Sequence, residues 1–240
     1  MTRPLAVLFA CLFLVALGGC GDDTQGTSSP GTSETEASAG ATPTATPTPE
    51  DTGGEQGTGC KPAEKPAPKD VKLKKPKQEL DASKTYVATV TTNCGDFKIE
   101  LDAKRAPKTG GSFKHLVDEG VYDGLGFHRI VPGFVIQGGD PAGDGSGGPG
   151  YSVVEAPPDD LAYTEGVVAM AKTQIEDPGT SGSQFFVVTG EDAQLPPDYA
   201  LLGKVTEGQD VVDLIGVAPV GADEQPVDPI VIQKITIDEG

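Results

Sequence analysis

Few residues in this 240-residue chain could carry covalent chemistry. Its two histidines, His115 and His128, are not grouped with cysteines or acids as a zinc site requires, and no Gly-x-Ser-x-Gly turn offers an activated serine. The run Gly143-Asp144-Gly145-Ser146-Gly147-Gly148 has the spacing of a dinucleotide fingerprint. Pro149 stands where a phosphate-binding helix should begin, however, and Asp144 would repel a pyrophosphate, so the run reads as a turn-rich loop. Neither a metal nor an organic cofactor is expected. Side chains able to act by charge and hydrogen bonding alone, among them Arg129 and the amide of Gln137, are not marked out by their type or spacing alone. Taken singly, the apolar residues would be ordinary core and Arg129 a surface ion-pair partner.

Taken in order, these residues resemble a known family. The stretch Phe127-His128-Arg129-Ile130-Val131-Pro132-Gly133-Phe134-Val135-Ile136-Gln137-Gly138-Gly139-Asp140 is similar, nearly residue for residue, to the signature segment of the cyclophilins. Gly166 to Ala171, Ser183-Gln184-Phe185-Phe186 and Leu202-Gly203-Lys204-Val205 follow in family order, so the resemblance spans about Tyr86 to Ile237. It implies peptidyl-prolyl cis/trans isomerisation of Xaa-Pro segments. By that resemblance Arg129 donates to the prolyl nitrogen, Gln137 holds a substrate carbonyl, and Phe134, Met170, Phe186 and Leu195 occupy the proline pocket. Ala171, Lys172 and Gln184 line a neighbouring subsite, and His128 lies beside the groove. Phe185 and Phe186 are adjacent in a strand and must face opposite sides, which fits one core residue and one groove residue.

Three positions depart from the family pattern. Gln194 stands where well-known members carry a tryptophan, Tyr199 where a histidine is common, and Lys172 where an asparagine is common. These changes bear on substrate preference and imply weak cyclosporin binding more than lost catalysis. The same groove would also serve a binding module that holds proline-containing segments, a holdase or scaffold with little isomerase activity. Arg129 favours the enzyme, because holding a planar prolyl bond requires no donor to its nitrogen.

The elements that must position these side chains are mostly short strands. Thr85–Thr91 and Asp96–Leu101 alternate apolar and polar residues around Asn93-Cys94-Gly95, the pattern of a hairpin. Further strands are predicted at 127–131, 134–138, 166–171, 184–189, 200–205 and 230–237. One helix opens at Pro107 and runs through Val117 to a stop at Gly120, and a second fits Gln209 to Ile215. About eight strands and two helices predict a mainly β protein, a closed eight-stranded antiparallel barrel capped by two α-helices.

The remaining sequence reads as delivery apparatus. Residues 1–19 form a signal: Arg3, an apolar run from Leu5 to Leu17 too short to span a bilayer, then Leu17-Gly18-Gly19-Cys20, which resembles a bacterial lipobox and implies acylation of Cys20. Residues 20–60 carry no Lys or Arg and are rich in Gly, Thr, Pro and acids, a composition expected to make a disordered tether. Residues 61–80 hold seven lysines among prolines and are expected to run extended along the domain, which occupies 81–240. That domain has ten basic against twenty-six acidic residues, which disfavours nucleic acid as a partner and favours a soluble monomer. The expected address is the extracytoplasmic face of the cell membrane, reached through the lipid anchor. There the two thiols left over, Cys60 and Cys94, are expected to pair.

Overall fold

Alternation along the first two strands decides the start of the barrel. In the computed structural model, which describes residues 59–240, β1 (Tyr86–Thr92) and β2 (Gly95–Leu101) form that hairpin. Tyr86, Ala88, Val90, Phe97, Ile99 and Leu101 are buried, while Val87, Thr89, Lys98 and Glu100 between them are not. The chain then enters α1 (Pro107–Asp118), where proline at the first turn loses no hydrogen bond the helix could have made. Next come β3 (Leu125–Val131), β4 (Val135–Gly138), β5 (Val153–Val154), β6 (Val167–Met170), β7 (Thr180–Ser181), β8 (Phe185–Val188) and β9 (Leu201–Glu207). The last elements are α2 (Gln209–Gly216) and β10 (Val231–Glu239). Eight strands close in the order β1-β10-β3-β4-β8-β6-β9-β2, every pair antiparallel, and β5 and β7 form a separate two-stranded sheet. The expected barrel with two helices is the one observed. The small second sheet was beyond sequence reading, since strands of two residues have no period to detect.

Side-chain parity divides the apolar residues between two clusters. Phe185 points into the barrel core, where it packs edge-on against Phe113, Tyr122 and Phe127 at centroid distances of 5.9, 5.8 and 6.1 Å. Phe186 points the other way, into an outer cluster with Val135, Leu201 and Tyr163. This parity corrects one expectation. Met170 lies opposite Phe185 in the β6–β8 register, and residues opposite one another share a face of the sheet, so Met170 is sealed in the barrel core at 1% exposure instead of lining the groove.

Residues 61–80 contain no helix or strand and run as a strap over the barrel. Backbone N–H groups of Lys61, Lys69, Leu73 and Leu80 donate to the carbonyls of Asn93, Pro141, Pro149 and Pro107 at 2.8–3.0 Å. Val71 and Leu73 pack on the core and Leu80 is buried, while all seven lysines stay exposed. The strap presses so closely on α1 that a Cβ on Gly111 would stand 2.4 Å from the Gln78 carbonyl oxygen. Its N-terminal end is fixed by the expected Cys60–Cys94 disulfide at the β1–β2 turn. Beside that bridge, buried Asn93 donates to the carbonyls of Lys61 and Pro229 and accepts from the Val231 N–H, tying strap, hairpin and β10 together. The signal segment, Cys20 and most of the tether lie outside the described residues.

The disulfide closes a 34-residue separation. For a loop of that length the chain-entropy estimate is about 4 kcal/mol, a large share of a domain's net stability. Cys94→Ser is therefore expected to lower the melting temperature by several degrees and to speed amide exchange around Lys61 and Asn93. Turnover should be retained, because neither cysteine lines the groove described below.

Candidate active site

A bulge in the β3–β4 pairing places the key cation. Phe127 pairs with Gly138 and Arg129 with Gln137, so His128 is the extra residue that breaks the alternation. Phe127 and Ile130 both enter the core, at 1% and 0% exposure, and the two residues between them leave it in succession. They reach different cavities. Arg129 enters a groove of about 380 Å³ lined also by Phe134, Val135, Gln137, Ala171, Lys172, Gln174, Phe186, Leu195 and Tyr199. His128 instead walls a cavity of about 140 Å³ with Lys65 and Pro66 of the strap and Pro226, Val227 and Pro229. The structure thus brings together every expected site residue named above in this groove or the one adjoining it, except Met170 and His128.

The groove floor is apolar and braced from behind. The turn from Val131 to Phe134, with Gly133 at φ +70°, lifts Phe134 over the floor, and its carbonyl accepts from the Thr189 N–H at 2.9 Å. Tyr199 stands edge-on to Phe186 at 5.4 Å, and buried Tyr163 lies edge-on to Tyr199 at 6.0 Å. The Tyr163 hydroxyl donates to the Tyr199 carbonyl at 2.6 Å and accepts from the Tyr199 N–H at 3.0 Å, which locks that residue's backbone. Burial pushes the Tyr163 hydroxyl up to about 12, so it stays a neutral donor. Lys172 sits with its Nζ 5.5 Å from the Tyr199 ring centroid, a cation–π contact at the groove rim. Gln194 is exposed at φ +52° and lies outside the lining, so that part of the rim has no large apolar side chain.

A chain of hydrogen bonds orients the amide of Gln137. Its Nε2 donates to the Gln184 Oε1 at 3.0 Å, and the Gln184 Nε2 donates to the carbonyls of Gly145 and Gly147 at 2.9 Å. Those carbonyls are held because the buried Asp140 carboxylate accepts from the N–H groups of Ala142, Asp144 and Gly145 at 2.6–3.0 Å. The loop tolerates no side chain at Gly147, where a Cβ would come within 2.2 Å of the Asp140 Oδ1. The glycine-rich run is therefore a bracket for Gln184 and Gln137. It also walls an adjoining cavity of about 310 Å³ that shares Gln137, Ala171 and Lys172 with the groove and includes Gln184.

Arg129 is held from the far side by Glu224, whose Oε2 accepts from the guanidinium Nε at 2.6 Å. Sequence reading missed Glu224, Tyr163, Gln174 and Val135. Only Val135 had a usable signal, since it lies two residues before Gln137 on one strand and must share its face. The other three come from segments remote from the signature stretch.

Burial holds the His128 imidazole below its ordinary value, and Arg129 beside it acts in the same direction, against the opposing pull of Asp140 and Asp144. A base depressed on folding binds fewer protons in the native state than in the unfolded chain. Stability is thus full above the ordinary histidine value of about 6.5 and falls as pH drops through the lower folded value. Denaturant melts at stepped pH should show that loss on the acid side, and His128→Gln should flatten it.

Comparison with known proteins agrees with this geometry. Residues 87–237 match the family described as cyclophilin type peptidyl-prolyl cis-trans isomerase. A peptidyl-prolyl cis-trans isomerase A of Mycobacterium tuberculosis is 39% identical over 172 residues, covering 64% of this chain and 92% of that protein. Peptidyl-prolyl cis-trans isomerase B of Streptomyces anulatus is 36% identical over 170 residues, covering 63% and 95%. Among solved structures, a Cryptosporidium parvum cyclophilin type isomerase superposes with a TM-score of 0.61 at 34% identity, covering 64% of this chain and 98% of that one. A second structure of that protein was determined in the presence of the dipeptide Ala-Pro. The barrel, its groove and these likenesses lead to one conclusion: the chain belongs to the cyclophilin family and is a peptidyl-prolyl cis-trans isomerase.

Proposed function

We propose that this isomerase turns Xaa-Pro bonds in exported proteins outside the cytoplasm, with Arg129 as donor to the prolyl nitrogen and an acylated Cys20 as membrane anchor. The observation that carries the chemistry is the pairing, in one groove, of a permanently charged donor with an apolar floor. A peptide bond resists rotation by about 18–20 kcal/mol because the nitrogen lone pair is delocalised into the carbonyl. Xaa-Pro exchange takes tens to hundreds of seconds unaided, and reaching about 10 per second requires the barrier to fall by roughly 4 kcal/mol. At the twisted transition state the nitrogen regains its lone pair and can accept a hydrogen bond that the planar ground state cannot. A donor aimed there stabilises the transition state selectively.

A charge-assisted hydrogen bond from Arg129 supplies about 1.5–3 kcal/mol of that. The remainder falls to the floor of Phe134, Val135, Phe186, Leu195 and Tyr199, which grips the proline ring and excludes water, and to Gln137, which fixes a substrate carbonyl. The Ala-Pro dipeptide used with the Cryptosporidium protein supports the same ligand class here. The exported setting is supported by the Cys60–Cys94 bridge, since disulfides persist in oxidising compartments, and by the lipobox-like end of the signal segment.

Prolyl exchange of an Xaa-Pro peptide followed by NMR tests the mechanism. Arg129→Ala is expected to lower turnover roughly tenfold to more than a hundredfold while peptide binding weakens less, and Lys should rescue poorly for want of a planar fork. Phe134→Ala should impair binding and turnover together. Exchange by Arg129→Ala within about twofold of wild type would leave the groove a binding site with a different catalyst. Mass spectrometry of the membrane fraction tests the anchor: a diacylglyceryl group on an N-terminal Cys20 is expected, and an unmodified terminus elsewhere removes it.

A further inference from the structure

We propose that Glu224 is the positioning residue for Arg129, fixing the plane of its guanidinium so that the terminal donors serve the groove. The proposal rests on Arg129 as the donor. Glu224 belongs to the loop between α2 and β10, 95 residues along the chain from its partner. Its carboxylate takes the Nε–H at 2.6 Å, and among the described residues that is the guanidinium's one hydrogen bond. An acceptor at Nε sets the orientation of the rigid fork while leaving both Nη groups to donate elsewhere. Glu224 itself is absent from the groove lining, so it acts through Arg129 and not on the substrate.

An ordinary surface ion pair contributes little, and both side chains here are partly exposed, at 36% and 46%. Two features separate this pair from that class. First, the loop is tied to the same strand as the arginine: the Ile130 N–H donates to the Glu224 carbonyl at 2.8 Å, so the main chain beside Arg129 and its carboxylate partner move as one piece. Second, Glu224 has φ +63°, a left-handed conformation that side chains other than those of Gly and Asn rarely adopt. The strain is imposed within a compact turn, where the Glu224 N–H donates to the Gly221 carbonyl and the Gly221 N–H donates to the Gln225 carbonyl. A glycine would suit this backbone better, yet only a longer side chain delivers a carboxylate to Nε. Strain retained at a position touching a functional group is the pattern expected of a functional residue.

That conflict between backbone and side chain makes the test. Glu224→Gly in the full chain relieves the strain and removes the carboxylate, so a purely structural role and a positioning role predict opposite signs. The expected result is a melting temperature equal to or above wild type, a Kd for an Xaa-Pro peptide within about twofold, and a kcat about twofold to fivefold lower. Glu224→Gln should recover most of the rate, because its amide oxygen can still accept the Nε–H. In an Arg129→Ala background Glu224→Gly should change nothing further. Turnover of Glu224→Gly equal to wild type, or a loss that persists undiminished without Arg129, overturns the proposal. If instead Arg129→Ala alone leaves exchange intact, the donor assignment fails first and the positioning role falls with it.

Discussion

Because the eight-stranded sheet closes on itself, each strand residue must point either into the barrel or out of it, and the period of two is broken only where a bulge intervenes. The site is a consequence of that constraint. Phe185 and Met170 share the inner face, Phe186 and Ala169 the outer, and the register between β6 and β8 permits no exchange between them. At β3 the single bulge at His128 lets Phe127 and Ile130 both anchor the core while Arg129 is released to the groove. Shifting that bulge by one residue would send the cation inward, where an unpaired charge is strongly disfavoured. The position of Arg129 is thus enforced by the hydrophobic residues on either side of it.

The strap illustrates a different balance of forces. Seven lysines facing an acidic barrel suggest docking by charge, and the expectation that the segment lies along the domain rested partly on that contrast. Yet among the described residues the only ion pair of a strap lysine is Lys72 with Asp70, inside the strap itself. Four backbone hydrogen bonds, the Lys69 ammonium donating to the Val121 and Asp123 carbonyls, the Asn93 amide on the Lys61 carbonyl, the apolar contacts of Val71, Leu73 and Leu80 and the disulfide hold the segment instead. Those contacts are short-ranged and poorly screened by salt, whereas exposed pairs lose their attraction beyond about 10 Å at ordinary ionic strength. The lysines are left at the surface because the inward positions of the strap are taken by apolar residues.

Most of the barrel was legible in the sequence, and the reason is the same period of two. Strand starts at Tyr86, Gly95, Val135, Phe185 and Val231 fall within a residue of those expected, the first two read from alternation, and the helices begin at the expected Pro107 and Gln209. In the groove, Arg129, Phe134, Gln137, Ala171, Lys172, Phe186, Leu195 and Tyr199 came from family order and lie together. What failed was what depends on pairing between distant strands. Met170 was placed in the pocket by the family resemblance, while its side of the sheet is fixed by a partner in β8. His128 was placed beside the groove because it lies in the signature segment, while the bulge sends it and Arg129 into different cavities. Glu224 and Tyr163 act from loops whose spatial neighbours no local pattern records.

Arg129 finally joins the two readings that its sequence context left open. It is a surface ion-pair partner, as a lone arginine usually is, and it also enters a groove with an apolar floor, its terminal nitrogens unengaged among the described residues. These roles are compatible because a guanidinium has donors on more than one edge: a carboxylate bound at Nε leaves the far edge free. The pairing diminishes the net positive field in the groove, which would be a disadvantage if the reaction depended on long-range charge. Rotation about a prolyl bond does not. It requires a donor pointed at one nitrogen that accepts only when pyramidal, so direction matters more than field strength, and a long flexible side chain without a second contact would lose that direction to rotamer freedom. A groove with an apolar floor and a cation clamped at one edge therefore suits a reaction in which no covalent bond is made or broken and no charge is transferred.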